Sequence, residues 1–223
     1  MISVEQVVYL NAAAKLIAGL VVPYTPLIAR TVLCARERYE PYLFNHAMRS
    51  WLFAIALART RGTTHDAEVL AVASLLHDLG LSGPLTGSMR FEVDGANAAR
   101  SLASGSGMSR RRAQLVWDCV ALSSTPSIGM YKEPEVALCT AGIWMDLAGA
   151  GHAELAPSQI TSIVDAYPRL AMKEQIIDTF CAVVESRPQT TYDNFLRDFG
   201  ERFVPGYKRP SAVDMLFDAP FKE

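Results

Sequence analysis

The chain has 223 residues, half of them hydrophobic, which supplies apolar surface for one sizeable core and sits near the upper end of a single domain. Its formal charge of −2, from 21 basic and 23 acidic residues, excludes the long-range field that would gather nucleic acid or an anionic membrane. Any charged substrate must be recognised locally, and the expected partner is a small molecule.

Alanine, leucine and methionine recur at helical spacing and no run of alternating β-branched segments appears, so the class is all-α. The apolar stretch from Val7 to Val22 carries Lys15, begins near Glu5 in place of a basic start, and is too short to span a bilayer. It predicts an ordinary first helix over residues 4–18, ended by Gly19, Pro23 and Pro26. Residues 26–37 form a second. Pro41 suits the first turn of a long apolar helix from Tyr42 to Arg59, stopped at Arg61-Gly62. Asp66 opens the next, running through Val69 to Leu79, with Gly80 as its C-terminal cap. Further helices are predicted over 92–104, 110–123, 133–149, 157–166 and 169–186, followed after Phe199 by an irregular tail packed onto the body. No repeat or low-complexity linker marks a domain boundary.

Cys34, Cys119, Cys139 and Cys181 are scattered through apolar helical contexts and read as buried small hydrophobes. That pattern, with no N-x-[ST] site, suits a reducing cytosol and a cytoplasmic location. The apolar stripes also offer surface for a homo-oligomer, whose state the sequence does not fix.

The informative residues are ionisable groups where a helix ought to bury hydrocarbon. His46 lies in Pro41-Tyr-Leu-Phe-Asn-His-Ala-Met-Arg49, and His77-Asp78 interrupts an apolar run. Asp146 is the only Asp, Glu, Lys or Arg between Glu135 and Glu154. Buried charges are normally paired or bound to metal, and one divalent cation satisfies several at once. Imidazole and carboxylate suit zinc, iron(II) or manganese, and positions left to water would keep such an ion catalytic. Adjacent helical residues point about 100° apart. In the last turn before Gly80, His77 and Asp78 could nevertheless reach one ion from opposite edges. Taken singly, His46 also fits a satisfied core histidine, and Asp146 could cap a turn or meet an arginine.

The set His46, His77-Asp78 and Asp146 resembles the HD-domain superfamily of metal-dependent hydrolases over about residues 42–150. Phe44-Asn-His-Ala-Met-Arg49, Ala73-Ser-Leu-Leu-His-Asp-Leu-Gly80, Arg90-Phe-Glu-Val-Asp-Gly-Ala96 and the segment 134–149 look like its cyanamide-hydratase branch. The resemblance implies one HD-domain helical bundle over residues 1–223, with a motif-bearing core at 42–150 and the segments 1–40 and 151–223 packed on it. It further implies a zinc ion held by His46, His77, Asp78 and Asp146, whose hydroxide adds to the nitrile carbon of cyanamide to give urea. A metal lowers the pKa of its water towards roughly 7, which makes that chemistry available at neutral pH. The commoner chemistry of HD domains in general is phosphohydrolysis, and a non-catalytic domain stapled by its metal is the third alternative.

Asn45, Glu92 and Asp94 are the candidates to orient the water or relay its proton. Glu92 and Asp94 equally fit a helix start, complementing its dipole. Arg49, three residues after His46, either holds a carboxylate of the site or closes a surface pair. Where family members commonly place Leu-His, this chain has Leu122-Ser123-Ser124. Only His65 and His152 then remain, both in loop-like surroundings, so one metal ion is expected and not two. Arg110-Arg111-Arg112 reads as a solvated helix start, too short for a nucleic-acid footprint. Trp144, two residues from Asp146, reads as core or as a pocket wall.

Overall fold

The computed structural model describes residues 14–83 and 88–221. Among these, the chain forms a two-stranded hairpin and eleven α-helices. Strands β1 (Ala14–Ile17) and β2 (Leu20–Pro23) pair antiparallel, with Ile17 opposite Leu20 across a two-residue turn. Ala18 and Gly19 both have positive φ, as a tight hairpin turn of right-handed twist requires. The predicted first helix over 4–18 is therefore wrong for residues 14–18, and its remainder lies outside the described residues. A short apolar run does not distinguish strand from helix by periodicity, and here the turn decides it.

Helix α1 (Pro26–Arg38) starts at Thr25, whose side chain accepts from the Ile28 amide. Helix α2 (Pro41–Arg61) ends at the left-handed Gly62. It buries residues all round its axis, Trp51, Leu52 and Leu57 completely, as befits a central helix. Helix α3 (Ala67–Leu76) is capped by the Asp66 carboxylate, which accepts from the amides of Glu68 and Val69. It ends earlier than predicted, and Leu79–Leu81 turns as a 3-10 helix.

Then follow α4 (Phe91–Gly105), α5 (Arg110–Ala121), a single turn α6 (Pro126–Gly129) and α7 (Pro134–Ala148). The C-terminal part adds α8 (Pro157–Ala166), α9 (Met172–Ser186), α10 (Leu196–Phe203) and α11 (Ala212–Phe217).

Helices α2 and α7 form the main packing seam, with α3 against both and α4 and α5 beyond α3. Gly142 makes the α2–α7 approach possible: a Cβ there would strike the Ser50 carbonyl oxygen and come within 2.8 Å of the Ala54 amide nitrogen. Gly80 has a similar reason, and it corrects the expected helix cap. It is not in a left-handed conformation; an added Cβ would fall on the Phe91 carbonyl oxygen, so glycine is needed for α4 to pack against the 3-10 turn.

The tail departs from expectation in two ways. Part of it is helical, and α11 does not pack onto the body: Val213, Met215, Leu216 and Phe217 are all exposed. Cys119 and Cys139 are buried as expected, whereas Cys34 and Cys181 are half-buried, and all four are free thiols. No helix among the described residues is long and apolar enough to cross a membrane.

Candidate metal centre

The three elements that meet at the α2–α3–α7 junction carry the stranded ionisable groups. Helix α2 supplies His46 and Arg49, the end of α3 supplies His77 and Asp78, and α7 supplies Asp146. Asp78 has φ −97° and ψ 13°, outside the helical region, and this break lets the side chains of two consecutive residues converge. His46, His77 and Asp78 are buried and form the one group of metal-ligating side chains among the described residues, with ligand atoms within 4.8 Å of one another.

The hydrogen bonds behind the rings fix what they present in front. His46 Nδ1 lies 2.6 Å from Asp146 Oδ2, and His77 Nδ1 lies 2.9 Å from the Ser74 carbonyl oxygen. An ionised carboxylate and a carbonyl only accept, so each Nδ1 carries the proton. A ring holding only that proton turns its Nε2 lone pair forward, and the two Nε2 nitrogens are 3.1 Å apart. Asp78 Oδ2 is 3.1 Å from His77 Nε2 and 3.7 Å from His46 Nε2, yet it makes no hydrogen bond of acceptable geometry. With both rings in that form, three electron-pair donors face one point.

That arrangement could hold a cation. Burial opposes charge on His77, but the Asp78 carboxylate outweighs burial and pushes the imidazole up to about 9. Burial likewise raises Asp78, and His77 beside it more than compensates, so the carboxyl is held below its usual range. A proton can satisfy one pair of these atoms; a divalent ion can satisfy all three. In the plane of the three donors the point equidistant from them lies about 1.9 Å from each, and a small step off that plane reaches the roughly 2.0–2.2 Å of bonds from zinc to nitrogen and oxygen. The cluster could therefore hold a metal ion. No protein-family model and no curated protein matches this chain.

Asp146 does not join the other three. Its carboxylate is engaged from behind by Arg49, which donates Nε to Oδ1 at 2.6 Å and Nη2 to Oδ2 at 2.8 Å. Arg169 Nη1 adds a contact to Oδ1 at 3.2 Å and to the Asp146 carbonyl at 2.8 Å. Burial raises the Asp146 carboxyl, but His46 and Arg49 outweigh it and hold the group far below the ordinary carboxylate range. Its place is behind His46, where it sets the ring's tautomer and orientation. The arginine alternative for Asp146 is thus the one realised. Arg49 takes its role as the holder of a buried carboxylate, and it is completely buried itself.

The other expected residues divide. Asn45 turns away, donating to the Pro168 carbonyl at 2.8 Å. Asp94 pairs with the buried Arg187 at 2.7 Å, which commits it to the packing of the segment beyond α9. Neither stands at the cluster. Glu92 is completely buried at the start of α4; it accepts from Arg90 Nη2 at 2.7 Å and from the Ser124 hydroxyl. His65 bonds the Thr63 carbonyl, and His152 lies in a short 3-10 turn, both outside the cluster. Arg112 crosslinks Asp66 and Glu68, while Arg110 and Arg111 are exposed as a helix start.

A pocket opens on the cluster. Besides His46, His77 and Asp78 it is lined by Ser123 and Ser124, by Ile143, Leu147 and Ile176, and by Phe91, Trp144, Phe180 and Phe195. About 20 Å³ is open to the centre of a water-sized molecule, which suits one very small occupant. Trp144 forms a wall, with its Nε1 spent on the Ser123 carbonyl at 2.9 Å. Phe195 and Phe180 close the aromatic side at a centroid distance of 5.2 Å. Phe195 carried no sequence signal, because its place here depends on the fold-back of the C-terminal segment.

Proposed function

We propose that the chain is a mononuclear metal-dependent hydratase that adds water across the carbon–nitrogen triple bond of a very small, nearly neutral nitrile-like molecule, cyanamide to urea being the first reaction to test. The observation that carries this reading is the convergence of two Nε2 lone pairs and Asp78 Oδ2 on the edge of a small apolar pocket. Zinc is the ion we propose, since two imidazoles and one carboxylate form a catalytic zinc set, with iron(II) or manganese as alternatives. When bound, the ion would act as a Lewis acid and lower the pKa of water towards about 7.

The protein's own share is holding and excluding. Asp146 and the Ser74 carbonyl hold both imidazoles with Nε2 forward. Asp78 supplies negative charge, and the aromatic and aliphatic wall gives that side of the cluster an apolar surrounding, which strengthens local electrostatics. With Asp146 turned to Arg49, His46, His77 and Asp78 would hold the ion, a three-ligand set that would leave room for water and substrate, as a catalytic and not a structural site requires. The resemblance of residues 42–150 to the cyanamide-hydratase branch of HD domains supports the same substrate class.

A phosphoester is the poorer fit. A phosphoryl group needs cations near the metal, and no Lys or Arg lines the pocket among the described residues. Arg49 is spent on Asp146, and Arg90 on Glu92.

The test is urea formation from cyanamide by protein whose metal content has been verified. Turnover that is lost in His77→Ala supports the reading. Full metal loading without urea, combined with metal-dependent phosphate release from nucleotides, would replace it.

A further inference from the structure

The pocket carries a polar group besides the metal cluster whose hydrogen-bonding character is fixed from outside. Ser124 lines the pocket, and its hydroxyl donates to Glu92 Oε1. Glu92 has no exposed surface, and its ion pair with Arg90 at 2.7 Å keeps that carboxylate an acceptor. A serine hydroxyl has one proton to give and two lone pairs to offer. The proton is committed to Glu92, and one lone pair receives Arg90 Nη2 at 3.3 Å. What remains is a single acceptor site. The neighbouring indole cannot compete for it, since Trp144 Nε1 is already bonded to the Ser123 carbonyl. Apart from Ser123 and the metal cluster, the rest of the wall is aromatic and aliphatic.

We propose that Ser124 is a specificity-determining residue whose acceptor oxygen, oriented by the Glu92–Arg90 pair, selects small substrates that carry an N–H or O–H group beside the group that reaches the metal cluster. The inference rests on the hydratase reading for the location of the reacting end, and it adds which small nitriles are taken. Cyanamide, whose amino group sits directly on the nitrile carbon, offers both groups. Acetonitrile has nearly the same shape but presents a methyl group, which leaves the oxygen facing hydrocarbon. Sites built to hydrogen-bond a polar group reject the analogue lacking it, because the site's own polar atom is left unpaired. Glu92 acts through Ser124 and is a positioning residue; Ser124 is the group that touches substrate.

The experiment uses the full chain loaded with cobalt(II), whose visible absorption reports ligands entering the coordination sphere without any need for turnover. Cyanamide and acetonitrile are titrated separately into wild type, Ser124→Ala and Ser124→Thr. Wild type is expected to bind cyanamide at least about ten-fold more tightly than acetonitrile, the loss expected for one buried hydrogen bond. Ser124→Ala should remove that preference with unchanged cobalt content, and Ser124→Thr, which retains the hydroxyl, should keep most of it. Equal affinity of wild type for the two probes, no spectral response to either, or a preference that survives in Ser124→Ala overturns the inference. Selectivity without urea production would leave the Ser124 assignment standing and remove the hydratase reading; urea production without selectivity would do the reverse.

Discussion

Asp146 Oδ2 meets His46 Nδ1 at 2.6 Å, at the opposite nitrogen of the ring from the one that approaches His77. A carboxylate placed behind an imidazole fixes its tautomer and raises its basicity as a ligand. Asp146→Asn is therefore expected to weaken metal binding by about 10–100-fold while leaving the three donors in place. Asp146→Ala should cost more in stability than in affinity, because the completely buried Arg49 loses its partner; breaking such a pair costs about 3–5 kcal/mol. A chelator-competition titration and a melting curve on each variant separate the two effects. If Asp146→Asn bound metal as tightly as wild type, the supporting role would be wrong.

Acid should loosen the junction between α3 and α5. Burial raises Asp66, but its bonds from Arg112 outweigh burial; Glu68 is lowered by Thr25 and by Arg112. Both carboxyls therefore sit below their ordinary values in the folded chain. Groups of this kind contribute stability that is present above the unfolded pKa, about 4, and is lost as pH falls through the lower folded value. All three side chains are partly exposed, so each pair is worth under about 1 kcal/mol. Chelator-treated protein should lose melting temperature more steeply below about pH 4.5 than Arg112→Ala does, and parallel curves would count against this.

Gly142 sets the distance between the helices that carry His46 and Asp146. Gly142→Ala would press a methyl into the Ser50 carbonyl and Ala54, and overpacking of this sort typically costs about 1–3 kcal/mol. The melting temperature is expected to fall by roughly 2–4 °C for each kcal/mol in a chain of this size. Metal affinity should drop as well, since parting α2 from α7 draws the Asp146 carboxylate away from His46. A variant with unchanged melting and affinity would show that the seam is slack.

What could be read in the sequence was local. Pro41, Asp66 and Gly62 mark helix ends that the fold keeps, because capping depends on a few neighbouring residues. The His46, His77 and Asp78 cluster was legible because charge in an apolar helix demands a partner, whatever the tertiary detail. Asp146 was legible as a buried acid, but not as the group behind His46: the side on which a carboxylate approaches a ring depends on how α2 and α7 cross. Ser124 and Phe195 show the limit more clearly. A serine after a helix and a phenylalanine in the C-terminal segment have no distinguishing local pattern, and both reach the pocket through contacts distant in sequence. The hairpin at Ala18-Gly19 was missed for the opposite reason, since its apolar residues fit either period.

The most direct measurement of the central claim is the metal content of purified wild type beside His46→Ala, His77→Ala and Asp78→Ala, with folding of each checked by circular dichroism. One divalent ion per wild-type chain, and background content in all three folded variants, is the predicted result. Full metal content in any of them, or none in wild type after exposure to zinc, iron(II) and manganese, would contradict the assignment of these residues as the metal centre.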